Sequence, residues 1–156
     1  MNALYDRDTD ARALRDKTIA VLGYGSQGRA HALNLQDSGF EVIVGLRAGS
    51  RSREQAARDG VDVREIGDAV ASADVVMVLA PDEEHGALFR ADIAPNLKRG
   101  VYLAFAHGFS IHFGTVVPAN ETGLLQPVQP IGHGPGRADQ CRCQAARRNQ
   151  PLVRAR

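Results

Sequence analysis

Apolar residues along this chain come in short blocks separated by polar or amphipathic stretches. Thr18–Leu22 is the first block, with almost no polarity after the preceding lysine. Glu41–Val44, Val61–Val63, Asp74–Leu79 and Val101–Phe105 follow. Short continuous apolar runs predict strands covered on both faces, and Val75-Val76-Met77-Val78-Leu79 is the clearest case. Between the blocks, apolar positions recur at helical spacing. Helices are expected over Ser26–Ser38, Ser52–Arg58 and Ile66–Ala71. A fourth should carry Leu88, Phe89 and Ile93 and stop before Pro95. In the first helix, Ala30 and Leu33, flanked by Ala32 and Leu35, form the apolar face. Gly39 and Gly60 suit helix ends. Asp82 reads as the N-cap of the fourth helix, with Glu83 and Glu84 complementing its dipole. Strands alternating with helices predict an α/β, Rossmann-like, doubly wound parallel sheet with right-handed crossovers and strand order 3-2-1-4-5. A ligand belongs beyond the C-terminal ends of strands 1 and 4.

The pattern fails after Pro118. Residues 119–156 hold four of the seven prolines, five glutamines and six arginines, with neither apolar period. Charge changes at the same place. Residues 1–118 carry 13 Lys and Arg against 16 Asp and Glu, whereas residues 119–156 carry 6 against 2. The chain divides into an ordered unit over 1–118 and an irregular or disordered tail over 119–156. Two origins for that tail stay open: a natural disordered segment, or an out-of-frame reading of a GC-rich gene. Cys141 and Cys143 are too few for a disulfide framework and have no companion pair at zinc spacing. No apolar run approaches a membrane span, and the charged lead-in Met1–Asp16 lacks the apolar core of a signal peptide, so a cytoplasmic location is expected. Net charge is only +1. The tail's arginines are scattered without aromatic stacking partners, which argues against nucleic acid.

The chemistry concentrates where the first strand ends. Gly23-Tyr24-Gly25-Ser26-Gln27-Gly28 is a G-x-G-x-x-G between a strand and a helix, as in the phosphate-binding corner of dinucleotide folds. Gly23 would allow the tight turn, Gly25 the approach of a pyrophosphate, and Gly28 close packing of helix on strand. The helix start offers free N–H groups and the positive end of its dipole. Strand 2 ends in Gly45-Leu46-Arg47 without the acid that bonds ribose hydroxyls in NAD sites. Arg47 with Ser50, Arg51 and Ser52 instead suits a 2′-phosphate and favours NADP. Arg51 and Arg53 fit a solvated basic loop equally well. Among the five histidines, His107 stands just past strand 5 on the ligand edge and could act as acid or base, or orient water or substrate. His31 reads as a half-exposed helix residue, His85 could face the cofactor edge, and His112 reads as packing.

These segments, taken in order, resemble ketol-acid reductoisomerase. The resemblance is carried by Gly23–Gly28 with Ala30-His31-Ala32, Gly45-Leu46-Arg47-Ala48-Gly49-Ser50, Leu79-Ala80-Pro81-Asp82-Glu83, Ile93-Ala94-Pro95-Asn96-Leu97 and Phe105-Ala106-His107-Gly108-Phe109-Ser110-Ile111-His112-Phe113. It covers about residues 3–118 and looks like the short bacterial form of the family. It implies that Tyr24–Gln27 cradle the NADP pyrophosphate and that Arg47, Ser50 and Ser52 hold the 2′-phosphate. It also implies that Asp82, Glu83, Glu84 and His85 contact the cofactor, although the family usually carries other residues at the last two places. His107 matches the active-site histidine. The implied reaction is magnesium-dependent alkyl migration in a 2-hydroxy-2-methyl-3-oxo acid. Hydride transfer from NADPH then gives a 2,3-dihydroxy acid, in branched-chain amino-acid (isoleucine and valine) biosynthesis. The implied partners are that small 2-hydroxy-3-oxo acid and a homo-oligomer.

The chain also departs from the family. The family's sixth apolar strand and its lysine before Gly-Pro-Gly are not matched: Gly134-Pro135-Gly136 is displaced and follows His133. The family's helical domain, whose carboxylates hold two magnesium ions, has no counterpart here, and no metal ligand is assigned. A non-catalytic NADP-binding fragment, inactive by itself, is therefore the alternative reading.

Overall fold

Six short segments pair side by side, and the sheet they form sets where every loop emerges. The computed structural model describes residues 14–118 and 122–125. The elements are β1 (Thr18–Leu22), α1 (Ser26–Asp37), β2 (Glu41–Gly45), α2 (Ser52–Arg58), β3 (Asp62–Arg64), α3 (Ile66–Ser72), β4 (Val75–Val78), α4 (Asp82–Leu88), β5 (Tyr102–Phe105), α5 (Phe109–His112) and β6 (Gly123–Leu125). All strands are parallel in the order β3-β2-β1-β4-β5-β6. The sheet is Rossmann-like and doubly wound. The lead-in through residue 13, residues 119–121 and residues 126–156 lie outside the described residues. Cys141, Cys143, His133 and Gly134-Pro135-Gly136 fall there.

Successive side chains on a strand face opposite sides, so each continuous apolar run feeds two cores. In β1, Ile19 and Val21 face one side with Ala32 of α1 and Ala56 of α2. Ala20 and Leu22 face the other with Ala69 and Val70 of α3 and Leu88 of α4. β1 is central: it pairs with β2 from Thr18↔Glu41 to Leu22↔Gly45 and with β4 from Ile19↔Val75 to Leu22↔Val78. The turn after Leu22 is therefore fixed from both sides.

Four expectations need correction. The sheet has a sixth strand, not five. Gly123–Leu125 pairs with Tyr102–Ala104, and Leu124 packs on the α3/α4 core. Three residues are too few to show a periodicity, which is why the pattern hid it. The fourth helix is not continuous to Pro95. α4 ends at Leu88, a π-helical turn covers Phe89–Ile93 and a 3-10 turn covers Ala94–Asn96. Proline lacks the N–H that would continue the regular ladder, so the chain rewinds before it. In α1, Ala30 is exposed, and the buried face is Gly28 and Ala32 with Leu33 and Leu35 partly covered. Asp82 is the first residue of α4 rather than its cap. Pro81 holds the cap position, and no side chain caps the helix. Among the described residues, no helix is long and apolar enough to cross a membrane.

Two glycines let α1 start directly on top of β1. Gly23 has φ +101°, and a Cβ there would meet the Leu79 carbonyl oxygen at 3.1 Å. A Cβ on Gly28 would collide with the Gly23 carbonyl, which is backbone and cannot swing aside. Gly28→Ala should therefore lose about 1–3 kcal/mol through overpacking. Gly25→Ala, whose Cβ meets nothing within 4 Å, should lose under about 1 kcal/mol. Urea unfolding of the two variants checks the contrast.

Candidate cofactor site

A groove of about 850 Å³ runs over the C-terminal edge of the sheet and collects the loops after β1, β2, β4 and β5. Its floor is the β1–α1 turn. The first N–H groups of a helix have no partner within it, and α1 has no side-chain cap at Gly25. Ser26, Gln27 and Gly28 line the groove at that uncapped end, and the space above Gly25 is open. This is a built anion-accepting surface. Tyr24 differs from its neighbours. Its ring is buried in the α1/α2 core, and its hydroxyl donates to Asp59 at 2.9 Å. Only its backbone serves the turn.

Asp59, just past α2, ties this corner together. It accepts from Arg29 of α1 at 2.6 and 3.0 Å, from Tyr24 and from Gln55. The Arg29 guanidinium above all, aided by Tyr24 and Gln55, holds its carboxyl well below the usual carboxylate range. Burial first, then the hydrogen bond to Asp59, pushes the Tyr24 hydroxyl up to about 12. The glycine motif contains Tyr24 but does not record its pairing with Asp59. Tyr24 and Asp59 stand 35 positions apart.

The β2–α2 loop forms the second wall, and Arg47, Ser50 and Ser52 all line the groove. The Ser50 hydroxyl accepts from the Ser52 N–H at 3.3 Å, which shapes the start of α2. Arg53 is engaged in structure: it donates to the Leu46 and Arg47 carbonyls at 2.9 and 3.3 Å and pairs with Glu65 at 3.0 Å. Arg51 is exposed. Arg47 reaches across the groove and pairs with Glu84 of α4 at 2.8 Å.

The third wall is the β4–α4 turn with the end of β5. Asp82 faces His107, with Oδ2 2.9 Å from Nε2. His107 Nδ1 accepts a long bond of 3.4 Å from the Phe109 N–H. His85 lines the groove but is 3% exposed, and both of its ring nitrogens are occupied. The Ala80 carbonyl only accepts, so Nε2 carries the proton at 2.8 Å. In the neutral ring, Nδ1 then accepts from the buried Ser110 hydroxyl at 2.6 Å. His85 thus fastens the β4–α4 turn to α5. Glu83 is exposed and does not line the groove. His31 and His112 are exposed, and the His112 ring meets Phe113 edge-on at 4.8 Å. Asp82 also lies 3.7 Å from His85 Nδ1, but among the described residues no three His, Cys, Asp or Glu side chains are arranged to hold a metal ion. The carboxylates nearest the groove are each paired already. Among the described residues, this donor set does not fit a divalent cation.

Strand order, glycine turn and groove define a dinucleotide-binding domain of the doubly wound class. The chain belongs to the family described as acetohydroxy acid isomeroreductase, NADPH-binding domain, whose profile matches residues 13–140. It is 51% identical over 130 residues to ketol-acid reductoisomerase (NADP(+)) 2 of Bifidobacterium longum (strain NCC 2705), covering 83% of this chain and 37% of that one. It is similar to the solved NADH-preferring ketol-acid reductoisomerase from an uncultured archean, with TM-score 0.77 and 44% identity, covering 81% of this chain and 40% of that one. A semialdehyde dehydrogenase NAD-binding protein from Cupriavidus necator shares the fold at TM-score 0.62 and 22% identity, over 85% of this chain and 48% of its own. The chain thus spans well under half the length of both ketol-acid reductoisomerases.

The Asp59 network makes stability pH-dependent in a stated direction. A carboxyl whose folded pKa is depressed contributes stability that is fully present above its unfolded value of about 4. That contribution is lost as pH falls toward the folded value. Asp59→Asn should lower the melting temperature at pH 7, and the gap to wild type should close progressively below about pH 4. Thermal melts across that range check it.

Proposed function

We propose that this chain is the NADP(H)-binding half of a ketol-acid reductoisomerase. The observation that carries the reading is the β2 end. Gly45-Leu46-Arg47 presents a guanidinium into the groove where an NAD site carries an acid. In this reading the pyrophosphate lies on the Gly23–Gly28 turn against the start of α1, with backbone N–H groups as donors. Arg47, Ser50 and Ser52 take the 2′-phosphate through charge-assisted hydrogen bonds. The bound cofactor supplies a hydride.

The remaining residues orient the reacting end. Asp82 holds the His107 ring through Nε2. That leaves Nδ1, under its one long bond, to give or take a proton or to hold water. His85 keeps the Asp82 turn in place rather than touching chemistry itself. The full reaction proposed is magnesium-dependent alkyl migration followed by reduction to a 2,3-dihydroxy acid in isoleucine and valine biosynthesis. Its substrate is a small 2-hydroxy-3-oxo acid, its setting the cytoplasm, and its assembly a homo-oligomer.

A second reading is a non-catalytic NADP-binding fragment. It is favoured by the paired state of Asp82 and Glu84, which leaves no carboxylate set for magnesium among the described residues. The solved relative described as NADH-preferring makes cofactor choice the point to test first. Fluorescence titration of the pure chain should give tighter binding of NADPH than of NADH; equal or NADH-selective binding contradicts the Arg47 assignment. Adding 2-acetolactate and magnesium then separates the two readings, since only the catalytic one allows NADPH oxidation.

A further inference from the structure

Arg47 and Glu84 come from opposite walls of the groove. Arg47 stands on the loop after β2 and Glu84 in the first turn of α4, after β4. β2 and β4 both flank β1, so their ends lie two strand spacings, about 10 Å, apart. The two side chains close that gap with Nη2 2.8 Å from Oε2. Both stay open to solvent, at 58% and 42% exposure. A guanidinium recognises planar or multidentate oxyanions, and carboxylates and phosphate monoesters are its two ordinary partners. Glu84 therefore offers Arg47 the same kind of contact that a 2′-phosphate would.

We infer that Glu84 is a specificity-determining residue: its carboxylate competes with the 2′-phosphate for Arg47 and lowers the preference for NADPH over NADH. The inference rests on the reading of Arg47 as the 2′-phosphate ligand. A cofactor with a free 2′-hydroxyl leaves the ion pair intact. A cofactor with a 2′-phosphate must take Arg47 from Glu84, and then holds a dianion close to the released carboxylate. The lost pair is worth no more than about fivefold in affinity at such exposure, and the like-charge contact adds to it. The nearby Arg53 does not relieve this conflict, because it is already committed to the Leu46 and Arg47 carbonyls and to Glu65.

Glu84→Gln removes the charge and keeps the shape. Dissociation constants for NADPH and NADH, measured by fluorescence titration of the whole chain, are compared in wild type, E84Q, R47A and the double variant. E84Q should tighten NADPH roughly 3- to 10-fold and leave NADH within about twofold. In the R47A background only the like-charge contact remains, so E84Q should tighten NADPH less than it does in wild type. Glu84→Asp shortens the side chain by one methylene and weakens the pair while keeping the charge, so it should tighten NADPH selectively but less than E84Q, and it stands in if E84Q folds poorly. No change for NADPH, or equal changes for both cofactors, overturns the competition while leaving the NADP reading intact. Failure of both wild type and E84Q to bind NADPH overturns that reading, and the competition with it.

Discussion

The close approach of α1 to the end of β1 is the constraint on which the rest of the site depends. It exists because Gly28 presents no Cβ to the Gly23 carbonyl and because Gly23 turns with φ +101°. The approach aims the uncapped start of α1 over the central strand. β1 is hydrogen-bonded to both β2 and β4, so the same point also fixes where Arg47 and Asp82 emerge. β5 then brings His107 alongside. A groove that gathers residues from four loops follows from one tight turn in a parallel sheet, because all the loops leave the same edge.

Charge pairing does the finer positioning. The first-turn acids of α4 do not act as helix caps. Asp82 reaches His107 and Glu84 reaches Arg47, and the helix is left without a side-chain cap. Glu84 gains its partner across the groove, and Asp82 gains its nearest one on the neighbouring β5 end. At the other corner, Asp59 joins Arg29 and Tyr24 and fastens α2 to the glycine turn. The buried His85 fastens the β4–α4 turn to α5 through Ala80 and Ser110. The walls of the groove are thus braced by groups that a bound cofactor need not touch.

The sheet was legible because strands buried on both faces leave unbroken apolar runs, and β1 and β4 stand where those runs end. The family was legible from several motifs in a fixed order, and the matched profile agrees. β6 was hidden because Gly-Leu-Leu is too short to show a period, and the break at Phe89–Ile93 was hidden because Leu88, Phe89 and Ile93 suit a regular helix equally well. The site was legible only as a set of positions. That His107 and Arg47 belong to the groove followed from strand ends. Their partners lie 25 and 37 positions away, and no local pattern records such pairs. The Ser110 hydroxyl on His85 was missed for the same reason.

Where an added cofactor touches the chain is the most direct test of the central claim, that the turn after β1 and the loop after β2 form one dinucleotide cradle. Backbone amide resonances of the ¹⁵N-labelled chain, followed while NADP⁺ is added, report it residue by residue. The account predicts the largest shifts at Gly25–Gly28 and Arg47–Ser52, with smaller ones around Asp82. Shifts confined to other faces, or an unchanged Gly25–Gly28, would contradict it.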